Sequence, residues 1–483
     1  MSLCHLAVFP RLSDFRSEFS MKKITCLSIF AATVLYGSTV AALPSSQDRV
    51  YTADQNSNTV SVIDPSSNKL LGQIKLGNPR PDLLSPLYKG EINVHGMGFS
   101  PDHKTLLVVS NGSNSVKFID TETNKVKGTT YLGRSPHEGF FTADGSEAWV
   151  VVRGEDYISV IDPKTYKEKR RIQTDPGPGM VIFPPDGKLV FVVSSFTAKV
   201  AVVDVKSHKI LKKIDVVSPF SPFLQLTPDN KEIWMTHKDV GKVTRIDTKT
   251  QEVTGVIDTG FITNHLSFAK VNGKTLAYVT VGGEDAVKVF TTDKEAKQIA
   301  TIPTGALPHG IWTADDSSRI YVGLENGDAV DVIDPSVNKV VAHVPAGQAP
   351  QALTFVSNAV TKGKGDSNLV PRVNRDSTTL ALKAVKEQGR GFVVLRNLGL
   401  VDALEVNLFK LKPKTTYTVY LNGGKTPAAS FATDPKGTAN GTMIGPLRTP
   451  SKDGADSGAS DSSIIVMEGD APVDASTAAL VSR

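Results

Sequence analysis

Between about residue 48 and residue 361 the chain alternates short apolar strands with polar turns, and this alternation itself repeats. Seven units close on an apolar strand that ends in an acid or its stand-in. The closing triplets are Val62-Ile63-Asp64, Phe118-Ile119-Asp120, Val160-Ile161-Asp162, Val202-Val203-Asp204, Arg245-Ile246-Asp247, Val289-Phe290-Thr291 and Val332-Ile333-Asp334. Their last positions are separated by 56, 42, 42, 43, 44 and 43 residues, so only the first interval carries an insertion, of about 14 residues. One unit, Pro308 to Gly347, predicts four strands at 309–313, 319–323, 329–333 and 340–344, with a turn at Asp315–Ser318. Alternation such as Val330-Asp331-Val332 suits strands with one face packed on a neighbouring sheet. A fixed period of this length, built from short strands, specifies a β-propeller. Seven units predict seven blades and an all-β fold.

The first unit starts at Arg49 with what is elsewhere the second strand, so its innermost strand is missing locally. The segment Gln351-Ala352-Leu353-Thr354-Phe355-Val356 matches that strand at the far end. Pairing the two ends closes the ring and leaves no open sheet edge. From residue 362 to 376 the composition, beginning Lys-Gly-Lys-Gly-Asp-Ser-Asn, predicts a solvated linker. A smaller β-sandwich-like domain is expected over 377–483. In it, Leu411-Lys412-Pro413-Lys414-Thr415-Thr416-Tyr417-Thr418-Val419 resembles the tyrosine corner of fibronectin type III sandwiches, where the hydroxyl pins the corner to backbone. The run Ser451 to Ser463, rich in Ser, Gly and Asp, predicts a loop before a last strand at Ile464–Met467.

At the other end, Met21-Lys22-Lys23, the apolar run Ile24 to Val40 and the small residues at Val40-Ala41-Ala42 predict a signal peptide. Cleavage near Ala42 gives a periplasmic or secreted protein that begins at about residue 43, with no membrane span in the mature chain. The segment before Met21 is expected to be an upstream extension. Both cysteines, Cys4 and Cys26, fall in the removed part, so disulfides and thiolate-bound metals are not expected. Removal of four bases and two acids takes the net charge from +5 to +3, too little for a nucleic-acid footprint by itself.

The strands Tyr51-Thr52-Ala53, Tyr278-Val279-Thr280-Val281 and Tyr321-Val322-Gly323 resemble the tetrapeptide of the YVTN-repeat propellers. Segments such as Asn58-Thr59-Val60-Ser61-Val62-Ile63-Asp64-Pro65 fit the same pattern. The resemblance covers about 310 of the 483 residues and points to the YncE-like exported bacterial propellers. More distantly, the repeats are similar to the propellers of nitrous-oxide reductase and the methylamine dehydrogenase heavy chain. The resemblance implies a seven-bladed exported propeller but no single activity.

Histidines supply the candidate chemistry. His95, His137 and His309 each stand 25 residues before their closing residue, and His265 stands 26 before Thr291. All four are predicted at the entry to an innermost strand, where such strands converge on the central channel. Pro350-Gln351-Ala352 aligns with Pro308-His309-Gly310, so Gln351 takes this place in blade 1. Blades 4 and 5 offer Gly179 and Pro222 or Phe223 instead. Blades 6, 7, 1, 2 and 3 thus form an arc of His265, His309, Gln351, His95 and His137. Loops between second and third strands are expected to bring Asp54, Asn111, Arg153, His237 and Glu325 around it. The insertion Asn78 to Glu91, with Arg80 and Lys89, is expected to lie over it. A concave site with a few convergent polar groups is the default binding hypothesis. Histidines at these entries also suit a scaffold role, each imidazole bonding a neighbouring loop carbonyl.

An imidazole cluster without thiolates suits copper, zinc or nickel, with His95, His137, His265 and His309 as ligands. The paired acids Glu155-Asp156 and Glu284-Asp285 follow a glycine in a hairpin turn, and turn chemistry explains them best. No Walker loop, zincin or nucleophile-elbow motif is present. The leading expectation is a non-catalytic propeller that binds a small ligand, a metal ion or a protein partner at the histidine-lined face. A metal-dependent or lactonase-like enzyme using the same face is the first alternative. Single-stranded nucleic-acid binding, suggested for YncE-like relatives, is the second, and would require a basic groove with stacking aromatics.

Overall fold

The computed structural model describes residues 44–79, 88–372, 377–385, 388–398, 401–421, 426–445, 463–469 and 473–482. The predicted signal peptide, both cysteines, Arg80 and most of the Ser451–Ser463 run lie outside the described residues. No helix among the described residues is long and apolar enough to cross a membrane.

Seven four-stranded antiparallel sheets form the propeller. Blade 7 has its strands at Pro308–Thr313, Ile320–Leu324, Ala329–Asp334 and Lys339–Pro345, close to the positions predicted from alternation. Blade 1 takes its innermost strand, Pro350–Val356, from the far end of the repeat region; this strand pairs with Arg49–Asp54 in the register Arg49↔Val356. The ring is therefore closed by both ends of the repeat region, as expected.

Apolar side chains from consecutive blades interlock around the ring. One cluster joins Val50, Ile63 and Phe355 of blade 1 to Tyr321 and Val332 of blade 7, and others join each following pair. The tyrosines of the repeat motif explain part of this packing. Tyr51 and Tyr278 are fully buried, and their hydroxyls donate to the outer turn of the next blade, at the Thr121 carbonyl and at Asn338 Oδ1. Each such ring covers apolar neighbours while its polar tip stays satisfied.

The smaller domain is also all-β. Its eight strands form one antiparallel sheet in the order 426–432, 416–421, 465–468, 480–482, 378–384, 390–397, 402–409, 439–445. The sheet curls until its two edges nearly meet: a Cβ on Gly441 at one edge would lie 2.2 Å from the Phe431 ring at the other. Leu382, Val393, Leu404, Val406, Val419 and Val466 fill its interior. The Tyr417 hydroxyl accepts a hydrogen bond from the Lys412 amide at 3.1 Å, the corner contact that the local sequence predicted.

The segment after residue 361 is not a solvated linker. The carbonyls of Gly365 and Ser367 accept from Asn124 Nδ2, that of Lys364 accepts from buried Arg49, and Val370 bridges to Gln73. These contacts use backbone atoms, so a Gly- and Lys-rich composition does not reveal them.

A buried polar joint fixes the smaller domain to the propeller. The Arg396 guanidinium, fully buried, pairs with Asp328 and donates to the Glu325 carbonyl at 2.9 Å, and its Nε lies 3.3 Å from Glu405. Glu405 in turn accepts from Asn56, Ser377 bonds Asp328, and the Thr379 hydroxyl donates to the Asn326 carbonyl. Asn56, Glu325, Asn326 and Asp328 all belong to loops between second and third strands, the loops that also border the channel mouth.

Candidate functional site

A repeated hydrogen bond sets the hub. In four blades the Asn or Asp of the turn between second and third strands accepts the amide of the residue that opens the next blade's inner strand. The pairs are Asn58 with Asn93, Asn114 with Ser135, Asp285 with Leu307, and Asp328 with Ala349, at 2.8–3.0 Å. Asn93, Ser135, Leu307 and Ala349 all have positive φ, a conformation that costs a non-glycine residue energy and is held here by that bond. Two residues further on stand His95, His137, His309 and Gln351. The paired-acid turns of blades 3 and 6 are read in the same way: Asp285 spends its carboxylate on this bond.

The inner strands then bulge. Their register shifts between Val94 and Gly96, Pro136 and Gly139, Thr263 and Leu266, and Pro308 and Ile311. A bulge breaks strict alternation and re-aims a side chain. Every one of the four histidines lies in such a bulge.

The result is a hub cavity of about 420 Å³. It is lined by His95, His137, His265, His309, Gln351 and Arg153, so six of the sequence-predicted residues come together. Asn111 joins them, and Phe220 and Pro222 form the less polar sector. The rings of His95 and His137 lie 4.6 Å apart, those of His265 and His309 lie 4.9 Å apart, and Phe223 stacks on His265 at 4.1 Å.

Two predicted residues are not in the lining. Asp54 is fully buried and accepts from the hydroxyls of Thr52, Thr59 and Ser61. His237 is fully buried between the hydroxyls of Ser221 and Thr244. Each is the last residue of its second strand, whereas Arg153 and Asn111 are the first residues beyond theirs. Their neighbours Gln55 and Lys238 occupy the equivalent place and do line the cavity. A slip of one residue moves a side chain to the opposite face. Glu325 is in the equivalent place in blade 7 and bonds His309 Nδ1 at 2.7 Å. Lys89 is not among the lining residues.

Burial holds the histidines well below the usual imidazole range, so they are neutral at neutral pH. For His95 and His137 the charge of Arg153 adds to burial; for His265 the neighbours are His309 and Lys238. His309 is lowered by burial and Lys238 against the pull of Glu325. Burial pushes Glu325 up, but His309, Lys238 and Arg396 outweigh it and bring the carboxyl to about 2. The contact is thus a neutral imidazole donating to a carboxylate. Burial takes Glu138, beside His137, up to about 8.

Of the four imidazoles, only His137 bonds a loop carbonyl, that of Gly179 at 2.6 Å. His95 Nδ1 meets Gln55 Oε1 at 2.8 Å. The Arg153 and Lys238 side chains have neither a hydrogen bond nor an ion-pair partner among the described residues. They are close enough that each positive charge weakens the other's environment: Lys238 is lowered by burial and by Arg153, with Glu325 opposing.

Asp54 supplies a pH prediction. Burial raises its carboxyl to about 7 despite three hydroxyl donors. The folded state then holds the proton longer than the unfolded chain, whose carboxyl titrates near 4. Stability is expected to fall as pH rises from about 4 to about 7, by at most about 1.4 kcal/mol per unit for one proton. Glu138 adds a fall of the same sign that extends to about 8. Urea unfolding of the Asp54→Asn variant across this range is expected to show a shallower slope. An unchanged slope would show that Asp54 ionises as freely folded as unfolded.

A seven-bladed ring with a polar hub cavity and a C-terminal β-domain defines a propeller of the ligand-binding type of architecture. The YNCE-like beta-propeller family model matches residues 88–224 and 133–365, together more than half of the chain. The chain belongs to this family. No curated protein matches the sequence. Among solved structures, hydrazine synthase of Kuenenia stuttgartiensis is 20% identical, covering 56% of this chain and 92% of that one with a TM-score of 0.50. A functionally unknown protein from Desulfotomaculum acetoxidans DSM 771 is 14% identical, covering 64% and 99% with a TM-score of 0.55. Dihydro-heme d1 dehydrogenase NirN in complex with DHE is 12% identical, covering 84% and 77% with a TM-score of 0.49. At these identities the likeness is one of fold.

Proposed function

We propose that this protein is an exported, non-catalytic binding propeller whose hub cavity takes a small anion of the carboxylate or phosphate class. The observation that carries the reading is the pair Arg153 and Lys238, two unpartnered cations facing one cavity whose imidazoles are neutral. Unpaired charges in a partly dehydrated site are costly, and an anion relieves both at once. Asn93, Asn111, Gln55 and Gln351 add polar groups suited to orienting it. Export is supported by the apolar run Ile24 to Val40 and the small residues that follow it.

The enzyme alternative loses its motivating acids, because Asp54 is sealed among hydroxyls and Glu325 is committed to His309. For single strands of nucleic acid, Phe220 is the one Phe, Tyr or Trp lining the cavity among the described residues, which is a poor stacking platform.

Calorimetric titration with inorganic phosphate and with citrate tests the reading. Saturable binding is expected that weakens with salt, and Arg153→Gln and Lys238→Gln are each expected to lower affinity about tenfold or more. No heat from either anion at millimolar concentration, or equal affinity in both variants, would overturn it.

A further inference from the structure

The four hub histidines do not form one cluster. They fall into two pairs, and only one pair has a third potential ligand. The buried Glu138 carboxyl lies beside His95 and His137, with one ligand atom from each of the three within 4.8 Å of the others. Among the described residues no other group of three histidine, cysteine or acidic side chains is so placed.

We propose that His95, His137 and Glu138 bind a zinc-class divalent ion at the junction of blades 2 and 3. The surrounding bonds prepare both imidazoles. His95 Nδ1 meets the side-chain oxygen of Gln55 and His137 Nδ1 meets the Gly179 carbonyl, and an oxygen at that position accepts the Nδ1 proton. The proton is thereby fixed on Nδ1 and the lone pair on Nε2, the arrangement that orients metal-binding histidines. Glu138 Oε2 accepts the Met97 amide at 3.0 Å, which anchors the carboxylate from blade 2. Successive residues of a regular strand face opposite ways, so His137 and Glu138 share a site only through the bulge between Pro136 and Gly139.

Two imidazoles and a carboxylate with an open position are a zinc-type donor set. Calcium and magnesium, which seek oxygen-rich shells, are poorly served by it. His265 and His309 are differently committed, the first stacked on Phe223 and the second bonded to Glu325. Arg153 lies close enough to repel a bare cation, so the ion and the proposed anion are expected to favour each other, the anion taking the open position.

The test uses the whole purified protein, freed of metal by a chelator and titrated with Co²⁺ and Zn²⁺ alone. One equivalent of Co²⁺ with visible d–d absorption, displaced by Zn²⁺, is expected. His95→Gln, His137→Gln and Glu138→Gln are each expected to weaken binding at least tenfold, and His343→Gln, on an outer strand, to leave it unchanged. Wild-type protein that takes up no Co²⁺ overturns the proposal without reference to any variant. So does binding that survives Glu138→Gln and His137→Gln but is lost in His309→Gln. Phosphate titration of the metal-free protein, run in parallel, separates failure of this site from failure of the anion reading.

Discussion

Arg396→Ala is expected to destabilise the protein by about 3–5 kcal/mol, the range for removing one partner of a buried ion pair. Arg396 and Asp328 are both fully buried, so truncation strands the Asp328 carboxylate where water cannot reach it. Asp328 also accepts the amides of Ala349 and Ser377, so its charge has a structural use that neutralisation would weaken. The cost should be shared with the cavity. Arg396 holds the Glu325 carbonyl, and the Glu325 side chain holds His309. Urea unfolding of Arg396→Ala, Asp328→Asn and the double variant measures the coupling, and a double variant less damaged than the sum is expected. A loss below about 1 kcal/mol for Arg396→Ala would mean that the joint relaxes or admits water.

Gly96→Ala is the second large effect. Gly96 follows His95 at the point where the inner strands of blades 2 and 3 come closest. A Cβ there would sit 1.9 Å from the His137 carbonyl oxygen and 2.9 Å from Glu138 Oε2. The first obstacle is backbone, so one strand must move. Overpacking of this kind costs about 1–3 kcal/mol, and the upper end is expected where backbone must shift. The displacement would separate His95 from His137, so Co²⁺ uptake should fall together with the unfolding midpoint. Gly139, two residues after His137, meets side chains at 2.8 and 2.9 Å instead, and Gly139→Ala should be milder. Equal losses at the two positions would contradict the steric argument.

The propeller was legible because one pattern is written seven times, and each copy corrects the noise in the others. The histidine arc was legible for the same reason, since four residues share one offset from the closing acid. Errors arose where one position decides a direction. Asp54 and His237 end their strands inside the sheet, and the cavity belongs to Gln55 and Lys238 one residue later. Glu138 was missed because alternation turns it away from His137, and only the bulge brings it back. The Arg396 joint was not legible, because an arginine within an apolar strand does not announce which loop of another domain it will meet.

The two-ended blade 1 also sets an order of events. Pairing of Arg49 with Val356 joins points about 300 residues apart, a contact of very high sequence separation. Until Pro350–Val356 has emerged during synthesis, the hub lacks Gln351 and the left-handed turn at Ala349 that Asp328 holds. Completion of the ring and completion of the cavity are therefore one step, and a chain cut short of that strand would be unclosed and unable to bind together.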